Sequence, residues 1–594
     1  MKEQPMKSKE ALHRAMYNPS SDIVFGLVAQ IGNDLGALES HLTSWLKERE
    51  YVVETIRLSD FLDSETNLSE FERIADLQRK GNFLREKTCC NHILALCASS
   101  VIATSRKAST AEKRAFIIRS LKRPEEIEVL RSVYGSSFVC LGVHSALNSR
   151  IDFLLDKNMH IKDRVKAREE AKRLIDLDEI ESIPSGQRTR DAFELCDAFV
   201  KAQYPGKDFV GLDRVLKLVF GSVFTTPRME EYGMYLAHSA SYRSGDLARQ
   251  VGAAILTDRG DVLSVACNEV PRHGGGQHWE GDPGDARDLV LGEDQNDILK
   301  NKILERVLHI IESLKKGSDT GSGQLALGQE DKLEELRKTG ILDITEYGRS
   351  VHAEMECLLS CARNGISPKG TILFTTTFPC HNCARHIISS GIKRVVYVEP
   401  YPKSKALQLH GDEISLPIDQ VKWEGATGTE GDAERVVFEP FIGIGPRRYM
   451  EWFGLRTATG RRIERKTKDG KAVHEVSATL RDIKTPESEF SYLQREVIAF
   501  DQLVKIDTAF MVSVTSSRFG EFRLKWSVLQ EQLDGMLLPS EWRESIAGTD
   551  WTDLESPNPY EEIDPKLTKA EKAMTPKKPI VKKPRNTATT TPSQ

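Results

Sequence analysis

The chain has 594 residues, of which 39% are hydrophobic and 29% are charged, and its formal net charge is −5. This composition is typical of a globular protein, and the length predicts about three or four domains. The acidic balance excludes a general attraction to nucleic acid or to an anionic membrane, and ten cysteines in so long a chain exclude a small secreted disulfide scaffold.

The N-terminal half has the pattern of an α/β domain. Residues 1–21 form a polar leader without an apolar signal core, and no stretch approaches the roughly 18 apolar residues of a membrane span, so we expect a cytoplasmic protein with no membrane partner. The run "DIVFGLVAQIG" is a strand ending in glycine, and "ALESHLTSWLKERE" has helical spacing. Further strands such as "RAFIIRSL" and "FVCLGVHS" predict a mostly parallel sheet with helices on both faces over 22–210.

A second α/β pattern covers residues 211–455. It begins with the helical "MEEYGMYLAHSAS" and continues through the strands "VGAAILT", "DVLSVACN", "TILFTTT" and "RVVYVEP". The stretch "RVVFEPFIGIGPRRYMEWF" reads as strand-like and then turn-like. Residues 456–560 are predicted to be a mixed helical extension, and the Lys, Pro and Thr of 561–594 predict a disordered basic tail.

Two short motifs in the second region carry metal-binding chemistry. "HAE" opens a predicted helix at His352, and "PCHNC" places Cys380 and Cys383 three residues apart on the first turn of another. A single strand between the two helices brings both helix starts to one edge of a sheet. Three ligands of nitrogen and sulfur type leave a fourth tetrahedral position for water, which is the arrangement of catalytic zinc.

Glu354 stands two residues after His352 and has a separate task. A carboxylate beside the metal can take a proton from the water and deliver it to the substrate. H-x-E followed by P-C-x-x-C is the signature of zinc deaminases that act on cytosine or adenine. The alternative is a structural zinc site or a buried cysteine pair, but a structural site needs a fourth ligand, and the nearest extra histidines, His381 and His386, share the helix of the cysteines.

Asn268 ends the predicted strand "DVLSVACN" and is the candidate contact for the substrate. Its amide offers a donor and an acceptor at the carboxyl edge of a strand, where ligands bind in open α/β sheets. The alternative is that Asn268 only opens a turn before Pro271.

Several stretches resemble a known family, namely "SYRSGDLARQVGAAILTDRGDVLSVACNEVP", "HAEMECLL", "TTTFPCHNCARHIISSGIKRVVYVEPYPKS" and "FIGIGPRR". They resemble the deoxycytidylate deaminase branch of the cytidine deaminase superfamily, and more narrowly the long prokaryotic antiphage dCTP deaminases with an N-terminal nucleotide-kinase-like domain. The resemblance implies an α/β fold, with a P-loop kinase-like parallel sheet domain followed by a cytidine deaminase-like three-layer α/β/α domain.

The resemblance also implies an activity and a set of site residues. It implies Zn2+ on His352, Cys380 and Cys383, a proton shuttle at Glu354, and hydrolytic deamination of dCTP or dCMP to dUTP or dUMP with release of ammonia. The implied substrate contacts are Asn268, Ser241, Arg249, Tyr401, Lys403 and Ser404. Depletion of dCTP in antiphage defence is the implied role, and we expect a homo-oligomer.

The N-terminal loop departs from the kinase pattern. A P-loop reads G-x-x-x-x-G-K-[ST], but this chain has Ala29, Asp34, Leu35 and Gly36 at the four fixed positions. Asp34 would repel phosphate. The candidate nucleotide-binding residues of this degenerate loop are Ala29, Gly32, Asn33, Asp34, Leu35 and Gly36, and the domain reads as a nucleotide or RNA sensor, or a scaffold, that regulates the deaminase.

Two other functions are open at this point. A housekeeping dCMP deaminase would supply dUMP, but such enzymes are generally much shorter. A polynucleotide-editing or nucleic-acid-binding protein would use the tail "PKKPIVKKPR", yet no basic run interleaved with aromatic residues lies near the zinc motifs.

Overall fold

The computed structural model describes residues 22–62, 68–108, 111, 113–179, 185–202, 204, 209–316, 347–399, 404–416, 435–456, 462, 464–467 and 469–471. All of them belong to one compact unit, Met1–Gly535. The predicted leader at 1–21 and the tail at 561–594 lie outside the described residues, as does nearly all of the extension at 456–560.

The helices are named in chain order. They are α1 Leu35–Lys47, α2 Glu70–Thr88, α3 Ile93–Ala108, α4 Pro124–Tyr134, α5 Leu147–Lys157, α6 Arg164–Glu179, α7 Thr189–Glu194, α8 Leu212–Val219, α9 Met229–Ser241, α10 Asp288–Leu291, α11 Gln295–Lys316, α12 Ala353–Arg363, α13 His381–Ser389, α14 Ala406–His410 and α15 Pro446–Phe453.

The strands are β1 Ile23–Ala29, β2 Val52–Arg57, β3 Arg114–Leu121, β4 Phe138–His144, β5 Ala198–Ala202, β6 Phe209–Val210, β7 Gly252–Leu256, β8 Val262–Cys267, β9 Ile372–Thr377, β10 Arg394–Glu399, β11 Ile414–Ser415, β12 Val436–Pro440 and β13 Gly443–Ile444.

The first sheet has the order β13-β5-β4-β1-β3-β2, and β6 also pairs with β5. β1 is parallel to β3 and to β4, and the pairs β2–β3 and β4–β5 are parallel too. All seven residues of β1 are buried, which is the pattern of a central strand covered on both faces. The predicted mixed α/β fold with a mostly parallel sheet is confirmed for this region.

The second sheet has the order β11-β12-β10-β9-β7-β8. β7 is antiparallel to β8 and β9, whereas β9, β10, β12 and β11 run parallel to one another. Apolar residues of α12 and α13 pack on one face of this sheet, and Met234 and Ala237 of α9 pack on the other. The strands β9 and β10 therefore end at an edge that lies between two helical layers.

α9 lies very close to β7, and the sequence allows this at one position. A Cβ atom added to Gly252 would lie 1.9 Å from the carbonyl oxygen of Ala237. Only glycine fits at this approach of backbone to backbone. The helix is thereby fixed against the start of β7, where Gly252 pairs with Cys267, the residue before Asn268.

The two sheets share one hydrophobic cluster. Val28, Phe116 and Phe199 of the first sheet belong to the same cluster as Phe374 and Val396 of the second. The chain also returns to the first sheet near its described end, because β13 pairs antiparallel with β5. The stretch after β13, predicted to be turn-like, is instead the helix α15, which begins with Pro446 in its first turn.

Within the described residues, no single helix is both long and apolar enough to cross a membrane. Only α2 and α3 taken together, at an angle of 93°, reach the required length and composition.

Candidate metal centre and active site

The two metal-binding motifs lie at the starts of two neighbouring helices. His352 is the residue immediately before α12, and its backbone is extended. Cys380 occupies the same position before α13, where its sulfur accepts a hydrogen bond from the backbone N–H of Cys383 at 3.5 Å. The positive ends of both helix dipoles therefore point at the same small volume, which favours thiolate over thiol there.

Local sequence explains why these helices form where they do. Ala353, Cys357 and Cys361 are buried and are spaced four residues apart, so they form one apolar face of α12. In α13, the buried residues Cys383, Ala384 and Ile387 form the corresponding apolar face. Both faces pack in one cluster against the second sheet, and this packing holds the two helix starts together.

His352, Cys380 and Cys383 converge as predicted. The distance from His352 Nδ1 is 3.3 Å to Cys380 Sγ and 3.3 Å to Cys383 Sγ. All three ligand atoms lie within 4.8 Å of one another. Tetrahedral zinc with ordinary bond lengths separates such ligand atoms by about 3.6 Å, so the three residues fit a zinc ion.

Hydrogen bonds within the cluster favour the thiolate form of Cys380, the form that binds a metal. Hydrogen bonds from Cys383 and His352 lower the pKa of Cys380 to about 4, in spite of its burial. The bond to Cys380 likewise raises the pKa of His352 to about 9. The pKa of Cys383 is raised because its thiol is the partner of Cys380 and is fully buried. A cation in this volume would replace these shared protons, as metal binding does.

Glu354 lies beside the three ligands without being one of them. It is 4% exposed, and its Oε2 atom is 3.5 Å from Cys383 Sγ. Burial raises the pKa of this carboxyl, and the neighbouring Cys380 raises it further. A carboxyl whose pKa is moved upward by burial is suited to hold and release a proton near neutral pH.

Asn268 is buried directly after β8, and its amide is engaged by nearby backbone. Its Oδ1 atom accepts from Val251 N at 2.7 Å, and its Nδ2 atom donates to the carbonyl of Arg249 at 2.8 Å. Asn268 thus shapes the segment 249–251. One further lone pair and one further N–H of the same amide are the groups that a substrate contact would use.

Arg249 lies on that segment, and its guanidinium is anchored. Nη2 of Arg249 donates to Oε2 of Glu399, the last residue of β10, which is 2% exposed. The hydroxyl of Thr377 donates to the same oxygen at 2.9 Å. The sequence reasoning missed Glu399, although a carboxylate at the end of a central strand, opposite the end of the strand that precedes "PCHNC", was a signal for it.

The serines predicted as substrate contacts have local partners. Ser241 donates to the carbonyl of His238 at the end of α9. Ser404 donates to the carbonyl of Pro379 at 2.7 Å, so it lies beside the cysteine motif. Tyr401 and Lys403 fall outside the described residues.

The predicted loop residues in the N-terminal region line a cavity of about 350 Å³, and these are Ala29, Gly32, Asn33, Asp34, Leu35 and Gly36. Gly32 has φ +90°, and a Cβ there would be 2.6 Å from the carbonyl of Arg150, so the turn requires glycine. The Asp34 side chain caps α1 by accepting from Ala37 N.

Comparison with known proteins covers the second region. Residues 227–399 match the family described as the cytidine and deoxycytidylate deaminase zinc-binding region. The deoxycytidylate deaminase of Enterobacteria phage T2 is 47% identical over 79 residues, which are 12% of this chain and 42% of the phage protein. The deoxycytidylate deaminase of Mus musculus is 30% identical over 169 residues, 28% of this chain and 63% of the mouse protein.

Among solved structures, the apo dCMP deaminase of cyanophage S-TIM5 is similar to 36% of this chain over 99% of its own length. Its sequence identity is 17% and its TM-score is 0.19. The chain spans less than half the length of the phage T2 and T4 deaminases that it matches, 42% and 43% respectively. Residues 227–399 thus carry both the match to this family and the cluster of one histidine and two cysteines.

Proposed function

We propose that this chain is a zinc-dependent hydrolase that converts deoxycytidine nucleotides to deoxyuridine nucleotides and ammonia. One observation carries the proposal: the three-ligand cluster of His352, Cys380 and Cys383 lies beside a buried carboxylate, Glu354, that is not part of it. A structural site would use a fourth protein ligand, and among the described residues the cluster has three.

Glu354 does the proton transfers in this proposal. Zinc, when bound, supplies Lewis acidity that lowers the pKa of a water molecule so that it can attack at neutral pH. Glu354 takes the proton from that water and gives it to ring nitrogen 3 of cytosine as the oxygen bonds to carbon 4. Glu354 then takes the remaining proton from the hydroxyl group on carbon 4 and passes it to the amino group. The carbon–oxygen double bond forms as the carbon–nitrogen bond breaks, and ammonia leaves.

We propose that the substrate binds at the edge formed by the ends of β8 and β10. Asn268 and Arg249 lie there, and Arg249 offers positive charge to a phosphate while Glu399 holds it in place. Ser404, which bonds to the backbone of Pro379, lies beside the zinc ligands. We propose Asn268 and Arg249 as substrate contacts, with Ser241, Tyr401, Lys403 and Ser404 as further candidates.

The N-terminal region is proposed to be a degenerate kinase-like regulator without phosphoryl transfer of its own. Its loop follows the central strand β1 and precedes α1, which is the place of a phosphate-binding loop, but the loop lacks the lysine and the hydroxyl of that motif. The antiphage role belongs to the same proposal and rests on the resemblance of the sequence, and a cytoplasmic location is proposed with it.

Ammonia release from a panel of substrates tests the proposal. The purified chain is incubated with dCTP, dCMP, cytidine and single-stranded DNA that contains cytosine. We expect release from dCTP, dCMP or both, and the ratio of the two rates decides between depletion of dCTP and supply of dUMP. Deamination of DNA without deamination of free nucleotides would refute the proposal in favour of a polynucleotide editor.

A further inference from the structure

The cavity of about 350 Å³ in the N-terminal region lies at the carboxyl end of β1. The neighbours of β1 are β3 on one side and β4 on the other, so the chain turns in opposite directions on the two sides of β1. Ligands of open α/β sheets bind at such a switch point, outside the carboxyl ends of the strands. We therefore expect a small molecule to bind in this cavity.

Positive side chains from four different elements line this cavity, namely Arg57, Arg73, Arg119, Lys122 and Lys157, against the acidic Asp34 and Glu70. Two of these cations are already neutralised one to one. Arg73 forms an ion pair with Glu70, and Lys122 forms one with Asp178.

The other three cations have less compensation. Arg57 and Arg119 share a single carboxylate, that of Glu39, at 3.8 Å and 2.6 Å. The ammonium group of Lys157 lies 5.4 Å from the ring centre of Phe153, and no ion pair of Lys157 is found among the described residues. An anion in the cavity would complete the charge balance of these three side chains.

The loop itself does not cradle the anion in this structure. The backbone N–H of Ile31 donates to Asp178 Oδ2 at 2.7 Å, and Asp178 is fully buried. The carboxylate of Asp34 likewise takes the N–H of Ala37 at the start of α1. Protein carboxylates thus occupy two N–H groups that a phosphate-binding loop would offer, which leaves the basic side chains as the anion ligands.

Size and wall chemistry define the ligand. The volume suits one small molecule and is near the lower end of ligand cavities. Ile74, Phe153 and Leu154 give one side of the cavity an apolar wall. We propose that this cavity binds a phosphorylated small molecule of mononucleotide size, with its phosphates on Arg57, Arg119 and Lys157 and its apolar part against Phe153. The proposal does not depend on the zinc site.

Calorimetric titration of the full chain with tripolyphosphate, ATP and adenosine tests this assignment. We expect tripolyphosphate and ATP to bind and adenosine to bind far more weakly. Lys157→Ala and Arg57→Ala should each weaken the binding of tripolyphosphate by at least about tenfold, the usual loss for one hydrogen bond to a charged group. Both side chains are exposed, so neither change threatens the fold.

Matched controls are Lys166→Ala and Arg79→Ala, whose side chains are exposed on α6 and α2 outside the cavity. They should bind tripolyphosphate like the unaltered chain. The assignment is overturned if neither phosphate probe binds, if adenosine binds as well as ATP, or if the cavity variants and the controls lose affinity equally. An RNA oligonucleotide that binds at Lys157 while no mononucleotide does would also overturn it.

Discussion

Arg249 is bonded to the buried carboxylate of Glu399, and this bond joins the segment before β7 to the end of β10. Besides Arg249 and Thr377, Arg190 of α7 approaches the same carboxylate. Its Nε atom lies 3.9 Å from Oε1 of Glu399. Thr189, the residue before Arg190, donates to Asp178 at 3.1 Å, and Asp178 contacts the N-terminal loop. α7 therefore contacts Asp178, which bonds to the N-terminal loop, and Glu399, which anchors Arg249.

Glu399→Gln should weaken substrate binding more than it slows turnover. The amide cannot neutralise Arg249, so the guanidinium loses its fixed position and KM for the nucleotide should rise about tenfold. The free energy of unfolding should also fall by about 1–3 kcal/mol, because two arginines lose a buried partner. Steady-state kinetics and urea unfolding measure the two effects.

Glu439→Gln is the control for this change. Glu439 also accepts from an arginine, Arg394, but on the partly exposed strand β12. We expect a loss below about 1 kcal/mol and unaltered KM. Equal kinetics for Glu399→Gln and the unaltered chain would show that Arg249 needs no positioning.

Glu354→Ala should abolish turnover while zinc stays bound. Loss of the proton shuttle should lower kcat by about 100- to 10,000-fold, the range for general acid–base catalysis. Glu356→Gln is the matched control, because Glu356 is a buried carboxylate on the same helix that bonds to Arg363 instead. Metal analysis accompanies the kinetics, and zinc loss in Glu354→Ala would contradict the role given to Glu354.

Cys383→Ser should remove zinc from the protein and activity with it. The serine hydroxyl is a poor zinc ligand, and Cys383 is one of only three ligands found among the described residues. We expect about one zinc per chain in the unaltered protein and a small fraction of that in the variant. Cys361→Ala, a buried cysteine of the same core outside the cluster, should keep its zinc.

We expect His144 to lower the free energy of unfolding in acid. Burial, together with the nearby Arg150 and Lys201, lowers the pKa of this histidine from 6.5 to about 3. Below pH 6.5 the unfolded chain binds a proton that the folded chain does not bind, so the free energy of unfolding falls as the pH drops toward 3. Relative to His144→Asn, the unaltered chain should lose up to about 2 kcal/mol more between pH 7 and pH 5.

Denaturant unfolding of both proteins at several pH values measures this difference. Other groups titrate in the same range, but they are common to the two chains and cancel in the comparison. Parallel curves for the two proteins would show that folding does not lower the pKa of His144.

ATP hydrolysis should be absent. Asp34 stands where a P-loop has glycine, and Leu35, which is buried in the core, stands where it has lysine. Phosphate release from ATP with magnesium should stay at the rate without protein. Magnesium-dependent release that disappears in Lys122→Ala would show that Lys122 replaces the missing lysine.

The zinc cluster could be predicted from sequence because each ligand is defined by its own short segment. His352 and Cys380 each precede a helix, and one crossover through β9 brings the two helix starts together. The end of a central strand was a signal for Glu399 itself, but its partners could not be predicted, because they come from α7, from the segment after α9 and from β9. No local pattern encodes the pairing of residues so far apart in the chain.

The helix α15 shows another limit of the sequence pattern. Its eight residues, "PRRYMEWF", are too few for a clear helical period. Long-range contacts decide the outcome, since Arg448 donates to the carbonyl of Phe138 and pairs with Asp197. Pro446 in the first turn was the one local sign of a helix.

The pairing of β13 with β5 has a consequence for synthesis of the chain. β6 pairs with residues 201–202 of β5, and residues 198–199 pair with β13. This edge of the first sheet therefore stays open on the ribosome until residues 443–444 have emerged, after the whole zinc-binding region has been made. An open strand edge is a template for wrong pairing, so we expect the nascent chain to need chaperone protection over this interval.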